Sequence, residues 1–178
     1  MDLIEIHLDT VDSTNTYAKT HGSSFTGNKI TCITAEEQTA GKGQFQRKWS
    51  SPRNVNLYAT FYFHLPVHAK KLEELASQLA ASIKKVLNEE GVQATMKWPN
   101  DVLVNGKKVA GVLCETVFHA SHIEIILGFG LNVNMGSEDL AKIDQPATSL
   151  KKETGRVWDK QVLLQRIQAE LLQYKFFQ

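Results

Sequence analysis

A glycine-rich segment from Gly41 to Trp49 combines two glycines, three cations and two aromatic rings. Glycines let backbone amides approach a phosphate, cations offset its charge, and the Trp49 indole can stack on a base or pack under the loop. The segment is not a Walker A loop, which requires Gly-Lys-Ser/Thr at the start of a helix. It is typical of an anion-binding loop, although a solvated basic loop explains the same composition.

A lysine stands directly before a Trp-Pro step in the segment Lys97-Trp98-Pro99-Asn100-Asp101. Pro99 removes a backbone donor and restricts φ, so the chain is expected to bend away from regular strand pairing beside Lys97. A lysine at such a bend is suited to act as a fixed positive charge. A surface lysine beside a core Trp98 is the simpler alternative, and the motif alone leaves it open.

Two glycines two residues apart, Gly128 and Gly130, lie in the alternating segment 123–134 and share one face of a predicted half-buried strand. Asn132 continues that face. Glycine in a strand indicates a bulge or the close approach of a ligand or another backbone. The pattern predicts a flat face ending in amide groups and leaves ligand binding and close packing equally open. It does not predict a Rossmann site, whose glycines open a helix.

The histidines give little support for metal binding. His64 and His68 are separated by a proline, and His119 and His122 flank a turn. These spacings do not match a metal site built on one helix or one strand, so no metal ligands are predicted.

Composition narrows the class of protein. The 178 residues include 20 basic and 19 acidic residues, for a net charge of +1, and 42% are apolar, as in an ordinary folded domain. A nucleic-acid-coating protein would need a basic excess or a basic face. The acidic start and the lack of roughly 20 consecutive apolar residues disfavour secretion and membrane insertion. Cys32 and Cys114 follow no metal or redox spacing, so a cytoplasmic protein is expected.

The residues singled out above must be positioned by strands and helices. Strands are predicted at 4–8, 29–35, 57–63 and 123–134, with a long functional loop from about 36 to 56. Asn105-Gly106 predicts a tight type I′ hairpin in which Val104 faces Lys107 and Leu103 faces Lys108.

Helices are predicted from capping residues and helical spacing. They follow the cluster 12–15, extend from Leu72 to Leu87 with Gly91 as a stop, and extend from Leu163 to Tyr174 with Asp159 as a cap. Gly155 is expected to end a short segment before the last helix. Together the elements predict an α+β domain with a mainly antiparallel mixed sheet and helices packed on one face.

The ordered motifs resemble those of biotin protein ligases. They are Asp12-Ser13-Thr14-Asn15, Gln38 with Ala40-Gly41-Lys42-Gly43, Arg47-Lys48-Trp49, Lys97-Trp98-Pro99-Asn100-Asp101, Lys107-Lys108-Val109-Ala110-Gly111, Gly128-Phe129-Gly130-Leu131-Asn132-Val133-Asn134 and Ala147-Thr148-Ser149-Leu150. No single motif is decisive, but their joint order across almost the whole chain is highly specific. The resemblance implies the biotin ligase catalytic fold, which is similar to that of class II aminoacyl-tRNA synthetases.

The resemblance also implies a reaction. The enzyme would join biotin to ATP with Mg²⁺, form biotinyl-5′-adenylate, and pass the biotinyl group to a lysine of a biotin carboxyl carrier protein. A homodimer is left open, and neither nucleic acid nor membrane is an expected partner.

The resemblance assigns residues to these steps. Biotin-binding roles fall on Ser13, Thr14, Gln38, Gly41, Lys42, Lys97, Gly111, Gly128 and Gly130. ATP-binding roles fall on Gly43, Gln44, Arg47, Trp49, Lys108 and Asn132. Lys97 and Arg47 are the implied catalytic residues, because adenylation joins two anions and requires positive charge where negative charge develops.

Three features depart from the family pattern. The loop usually reads Gly-Arg-Gly-Arg-x-Gly-Arg, whereas Lys42 and Gln44 replace arginines here and Gln46 replaces a glycine, so weaker anchoring of the adenylate is expected. The catalytic domain is expected to span residues 1–178, without an N-terminal DNA-binding domain or a C-terminal small β-barrel domain. A lipoate or octanoate ligase or transferase of the same fold, and a non-catalytic biotin-binding protein, are the alternatives.

Overall fold

The computed structural model describes residues 2–174, and for Gln46 the backbone alone. Met1 and residues 175–178 of the expected domain lie outside the described residues. Strands β1 to β7 are Leu3–Val11, Ile30–Gln38, Leu57–Pro66, Ala94–Lys97, Asp101–Val104, Lys107–Phe118 and His122–Leu131. Helices α1 to α5 are Thr14–His21, Glu74–Glu89, Ser137–Leu140, Leu150–Thr154 and Lys160–Leu171. Over the described range, no helix has the length and apolar character needed to cross a membrane.

The strands form one mixed sheet in the order β1-β2-β3-β7-β6-β5-β4. β1 and β2 are parallel, and the remaining neighbours are antiparallel. A parallel pair needs a crossover connection, which α1 and the segment after it supply. The predicted α+β class with a mainly antiparallel sheet is confirmed.

Both faces of the sheet are covered by helix. On one face, α2 and α5 bury Leu79, Ile83 and Ile167 in the main core, as the helical spacing predicted. On the other face, α1 packs Ala18 into a smaller cluster with Ile126 of β7. This second helical layer was not predicted from the sequence, because α1 has too few apolar residues to show a helical stripe.

The tight hairpin is confirmed in register and in backbone conformation. Leu103 pairs with Lys108, and Val104 pairs with Lys107. Asn105 and Gly106 have φ values of 50° and 74°, as a type I′ turn requires at both central residues.

The predicted helix ends are confirmed to within a few residues. Asp159 caps α5, where its carboxylate accepts hydrogen bonds from two backbone amides. Gly155 ends α4 in the left-handed conformation, and Gly91, with φ of 84°, follows the end of α2. Leu72 and Tyr174 flank the helices and do not belong to them.

Two strand predictions need correction. β7 is not half-buried but is a central strand, paired with β3 on one side and β6 on the other and covered on both faces. Asn132 lies just beyond its end. β2 continues to Gln38, so the long loop begins at Thr39 rather than near residue 36.

Candidate active site

A cleft lies over the sheet face that carries the glycines of β7. It is lined by the start of α1, the end of β2, the 42–49 loop and strands β5 to β7. The sequence-predicted residues in its lining are Ser13, Thr14, Gln38, Lys42, Gly43, Gln44, Arg47, Trp49, Lys108, Gly111, Gly128 and Gly130. The fold thus brings together most of the residues that the motifs singled out, from segments far apart in sequence.

Gln38 organises one end of the cleft. Its Oε1 accepts hydrogen bonds from the backbone amide of Thr14, at 2.9 Å, and from the Thr14 hydroxyl, at 3.1 Å. Its Nε2 donates to Ser51 Oγ at 2.9 Å. Both functions of the amide are therefore engaged, and the side chain is held in one orientation.

A second polar group lies behind this end. Thr60 Oγ1 is fully buried and lies 2.8 Å from Thr14 Oγ1 and 2.7 Å from Asn15 Oδ1. Asn15 in turn donates to Glu115 Oε2 at 3.0 Å. Because these contacts link Thr14 and Asn15 to β3, they hold the start of α1 in place before any ligand arrives.

The glycines of β7 each have a close neighbour. Gly130 pairs with Gly111 of β6, and the Trp49 indole lies against both. A Cβ on Gly128 would overlap Asn15 Oδ1, and a Cβ on Gly130 would overlap Trp49 Nε1. The two glycines share the predicted face, line the cleft and also permit these close contacts.

The 41–49 loop is held by its own backbone. Gly43 N donates to Arg47 O at 2.8 Å, and Trp49 N donates to Gly41 O at 2.9 Å. Gly41 is buried, and a Cβ there would lie 2.5 Å from Trp49 O, so only glycine fits. This structure places the loop's cations beside the cleft, where Lys42, Arg47 and Lys48 are lining residues.

A further cation approaches from β6. Lys108 Nζ lies 2.7 Å from Asp101 Oδ1 and 5.4 Å from the centre of the Trp49 ring. Both partners of the ion pair are mostly buried. Lys108 therefore joins β5, β6 and the loop at the wall of the cleft.

Three predicted residues lie outside the lining of this cleft. Gly41 lines an adjoining open depression. Asn132 lines a small neighbouring pocket that shares Trp49 and Lys108 with the cleft, and its Nδ2 donates to Thr148 O at 3.0 Å. Lys97 is exposed at the end of β4, where it pairs in register with Asp101.

Trp98 is 78% exposed. This contradicts the core position of Trp98 in the simpler alternative. The surface position of Lys97 in that alternative is what the structure shows, because Lys97 is exposed and does not line the cleft.

Besides Lys48, the polar residues in or behind the cleft that were not assigned from the sequence include Asn15, Thr60, Asn100 and Asp101. Asn100 accepts from and donates to the backbone of Val112, which fixes the bend after β4. Asn15, Asn100 and Asp101 belonged to quoted motifs, but Thr60 gave no signal beyond being a polar residue in an apolar strand.

A mixed sheet that carries a polar pocket and a basic loop on one face is the arrangement of a known protein family. The model of the biotin/lipoate A/B protein ligase family matches residues 8–132. The chain belongs to this family.

Relatives within the family are biotin ligases. A biotin--[acetyl-CoA-carboxylase] ligase of Paracoccus denitrificans is 31% identical over 93% of this chain and 73% of its own length. The bifunctional ligase/repressor BirA of Escherichia coli is 32% identical over 92% of this chain. The chain spans 43% of the BirA of Bacillus subtilis and 51% of that of Escherichia coli.

Solved structures of biotin protein ligases are similar to this chain in fold. A biotin protein ligase from Aquifex aeolicus in complex with biotin and ATP superposes with a TM-score of 0.75 at 34% identity, covering 98% of this chain and 73% of that chain. A biotin protein ligase from Leishmania major in complex with biotinyl-5-AMP gives a TM-score of 0.71 at 27% identity, covering 97% of this chain and 74% of that one. The resemblance and the fold predicted from the motifs are confirmed.

Proposed function

We propose that this domain is an ATP-dependent biotin ligase. The observation that carries the proposal is that a fixed polar pocket and a basic loop meet at one cleft, on the same glycine-bearing sheet face. The polar pocket suits a small polar ring, and the basic loop suits a polyphosphate. The biotin ligases among its relatives favour biotin as the acyl substrate.

The pocket end is proposed to hold biotin. Ser13 and Thr14 begin α1 and are buried, and Gln38 is held against them. Hydroxyl and amide groups in this arrangement suit a ureido ring, which both donates and accepts hydrogen bonds. Gly111, Gly128 and Gly130 provide the flat part of the wall.

The loop end is proposed to hold the nucleotide. A carboxylate oxygen of biotin attacks the α-phosphorus of ATP, pyrophosphate leaves, and biotinyl-5′-adenylate forms. Arg47, Lys42 and Lys48 line this side and can oppose the negative charge that develops. Lys97 lies one strand from the lining residue Asp101, and its flexible four-carbon stem can bring the ammonium to the carboxylate and phosphate.

Mg²⁺ is proposed to enter with the triphosphate of ATP. Asp101 is the one carboxylate in the lining of the cleft over the described residues, and it pairs with Lys108. The chain's own part is then to bind and orient the nucleotide.

In the second step, the amine of a carrier lysine attacks the acyl carbonyl of the adenylate, and AMP leaves. We propose a biotin carboxyl carrier protein as the acceptor and the cytoplasm as the location. No thiol is suited to carry the acyl group, because burial raises the pKa of Cys32 and of Cys114 to about 12. This disfavours a transferase that works through a cysteine thiolate.

The choice of acyl substrate can be tested by pyrophosphate release from ATP. We expect release with biotin and not with octanoate or lipoate. Release with octanoate or lipoate in place of biotin would instead support the lipoate branch of the family, and biotin binding without pyrophosphate release would support a binding protein.

A further inference from the structure

Three histidines and a glutamate meet at the end of the sheet away from the cleft. His64 lies near the end of β3, directly opposite Glu124 of β7. His122 begins β7, and His119 lies in the turn between β6 and β7. Glu124 is four residues before Gly128, about 13 Å along the strand at roughly 3.3 Å per residue, so this cluster is separate from the proposed ligase site.

The donor atoms are close together. One ligand atom from each of His64, His122 and Glu124 lies within 4.8 Å of the others. His119 Nε2 lies 3.1 Å from Glu124 Oε1, so a fourth donor adjoins the three. The His122 ring stacks on the rings of His64 and His119 at centroid distances of 4.1 and 4.6 Å.

The charge of Glu124 calls for a cation. Its side chain is 13% exposed, and its ion-pair partners within the described residues are His119 and His122, which carry charge only when protonated. The Tyr62 hydroxyl also hydrogen-bonds the Glu124 carboxylate, but a hydroxyl carries no charge, and a carboxylate removed from water is costly without a charged partner. A divalent cation shared by the same groups would neutralise it without requiring a protonated histidine.

The histidines are also oriented by neighbouring groups. The Ser121 hydroxyl lies 3.0 Å from His122 Nδ1, which leaves Nε2 of that ring on the side of Glu124. The Tyr62 hydroxyl lies 3.0 Å from His64 Nε2. The Ser121 contact is typical of a histidine that binds metal, because a hydrogen bond to the second ring nitrogen fixes the ring and its tautomer. Nδ1 of His64 lies against Gly27, so His64 would bind the ion through Nε2 and the Tyr62 hydroxyl would have to give up its contact with that nitrogen.

We propose that His64, His119, His122 and Glu124 form a zinc site. Nitrogen and carboxylate donors suit Zn²⁺, and four of them match its tetrahedral preference. Zn–N distances of about 2.0–2.1 Å require the side chains to draw in from their present spacing. The ion would tie the end of β3 to the β6–β7 turn and stabilise the fold without taking part in the ligase reaction.

Calorimetric titration of chelator-treated protein with Zn²⁺ alone tests the proposal. We expect one Zn²⁺ per chain and at least roughly tenfold weaker binding in His122→Gln and Glu124→Gln. His7→Gln is the matched control. His7 also faces one carboxylate, that of Glu36, at 3.3 Å, but among the described residues it belongs to no group of three candidate metal ligands. The His7→Gln variant should bind Zn²⁺ as the unchanged protein does.

Two further readouts keep the test decisive. Co²⁺ should give the intense visible absorption of tetrahedral coordination, and Zn²⁺ should raise the melting temperature of the unchanged chain. His119 is 41% exposed, so His119→Gln is expected to fold and should alter the Co²⁺ spectrum. Absence of saturable Zn²⁺ binding to the unchanged chain would overturn the proposal. So would folded His119→Gln and His122→Gln variants that bind Zn²⁺ as tightly as the unchanged chain does.

Discussion

The indole of Trp49 lies directly against Gly130, on a part of the sheet where Gly130 pairs with Gly111. Trp49 Nε1 is buried and has no hydrogen-bond acceptor among the groups that the structure describes. An unsatisfied buried donor costs about 1–3 kcal/mol. The cleft therefore presents a donor whose acceptor a ligand can supply, and in the proposed function that acceptor is an oxygen of the nucleotide.

Gly130→Ala should disturb this contact. The added Cβ would overlap Nε1 and Cε2 of Trp49, so the ring must move and the 41–49 loop with it. We expect a loss of stability of about 1–3 kcal/mol, as for other overpacked sites, together with weaker ATP binding measured by calorimetry. Gly136→Ala is the control, because no atom lies within 4 Å of its added Cβ. Unchanged ATP affinity in a folded Gly130→Ala protein would show that Trp49 does not belong to the nucleotide site.

Lys97→Ala should reduce adenylation without unfolding the protein. Lys97 is exposed, so its truncation should cost little stability, whereas a charge that stabilises a transition state is worth about tenfold to a thousandfold in rate. Biotin-dependent pyrophosphate release at saturating substrates measures the effect, with the exposed Lys70→Ala as control. Turnover equal to the unchanged protein would exclude Lys97 from catalysis.

The fold could be predicted where the signal was local. The Asn105-Gly106 turn fixed its own register, and Asp159 and Gly155 marked helix ends by capping chemistry that involves neighbouring residues. The second helix layer was missed because α1 is too polar to show a stripe, although Ala18 is fully buried there. Its burial depends on Ile126, more than a hundred positions along the chain, which no local pattern contains.

The candidate site, like the fold, could be predicted from local pattern but not from long-range contacts. The face shared by Gly128 and Gly130 followed from strand alternation, but the identity of their neighbours did not. Asn15 and Trp49 reach these glycines through the topology of the sheet and the conformation of the loop. Thr60 was missed for the same reason, since its importance comes from hydrogen bonds to Thr14 and Asn15 and not from its own sequence context.

Thr60→Val should weaken biotin binding from behind the pocket. The substitution keeps the shape but removes the hydroxyl that holds Thr14 and Asn15. We expect about 1–3 kcal/mol of lost stability, because buried polar partners are left unsatisfied. KM for biotin should rise more than kcat falls, since Thr60 does not line the cleft. If KM for biotin stayed the same in the destabilised variant, the Thr14 segment would not be part of the biotin site.

Gln44→Arg should slow the escape of the adenylate. Gln44 and Lys42 line the cleft at positions where the family resemblance implies arginines, and a guanidinium binds phosphate through two parallel hydrogen bonds. A pulse-chase of preformed biotinyl-adenylate without carrier, with labelling of bystander lysines, measures the release. Gln165→Arg on the exposed side of α5 is the control. Equal release from both variants would show that Gln44 does not face the phosphate.

The most direct test of the central claim is the mass of a biotin carboxyl carrier domain incubated with this chain, biotin and MgATP. The proposed function predicts the addition of one biotinyl group to the acceptor lysine, dependent on ATP and lost when that lysine is replaced by arginine. Octanoate or lipoate in place of biotin should leave the carrier unmodified. An unmodified carrier in the presence of biotin and MgATP, with the chain folded and biotin bound, would contradict the account.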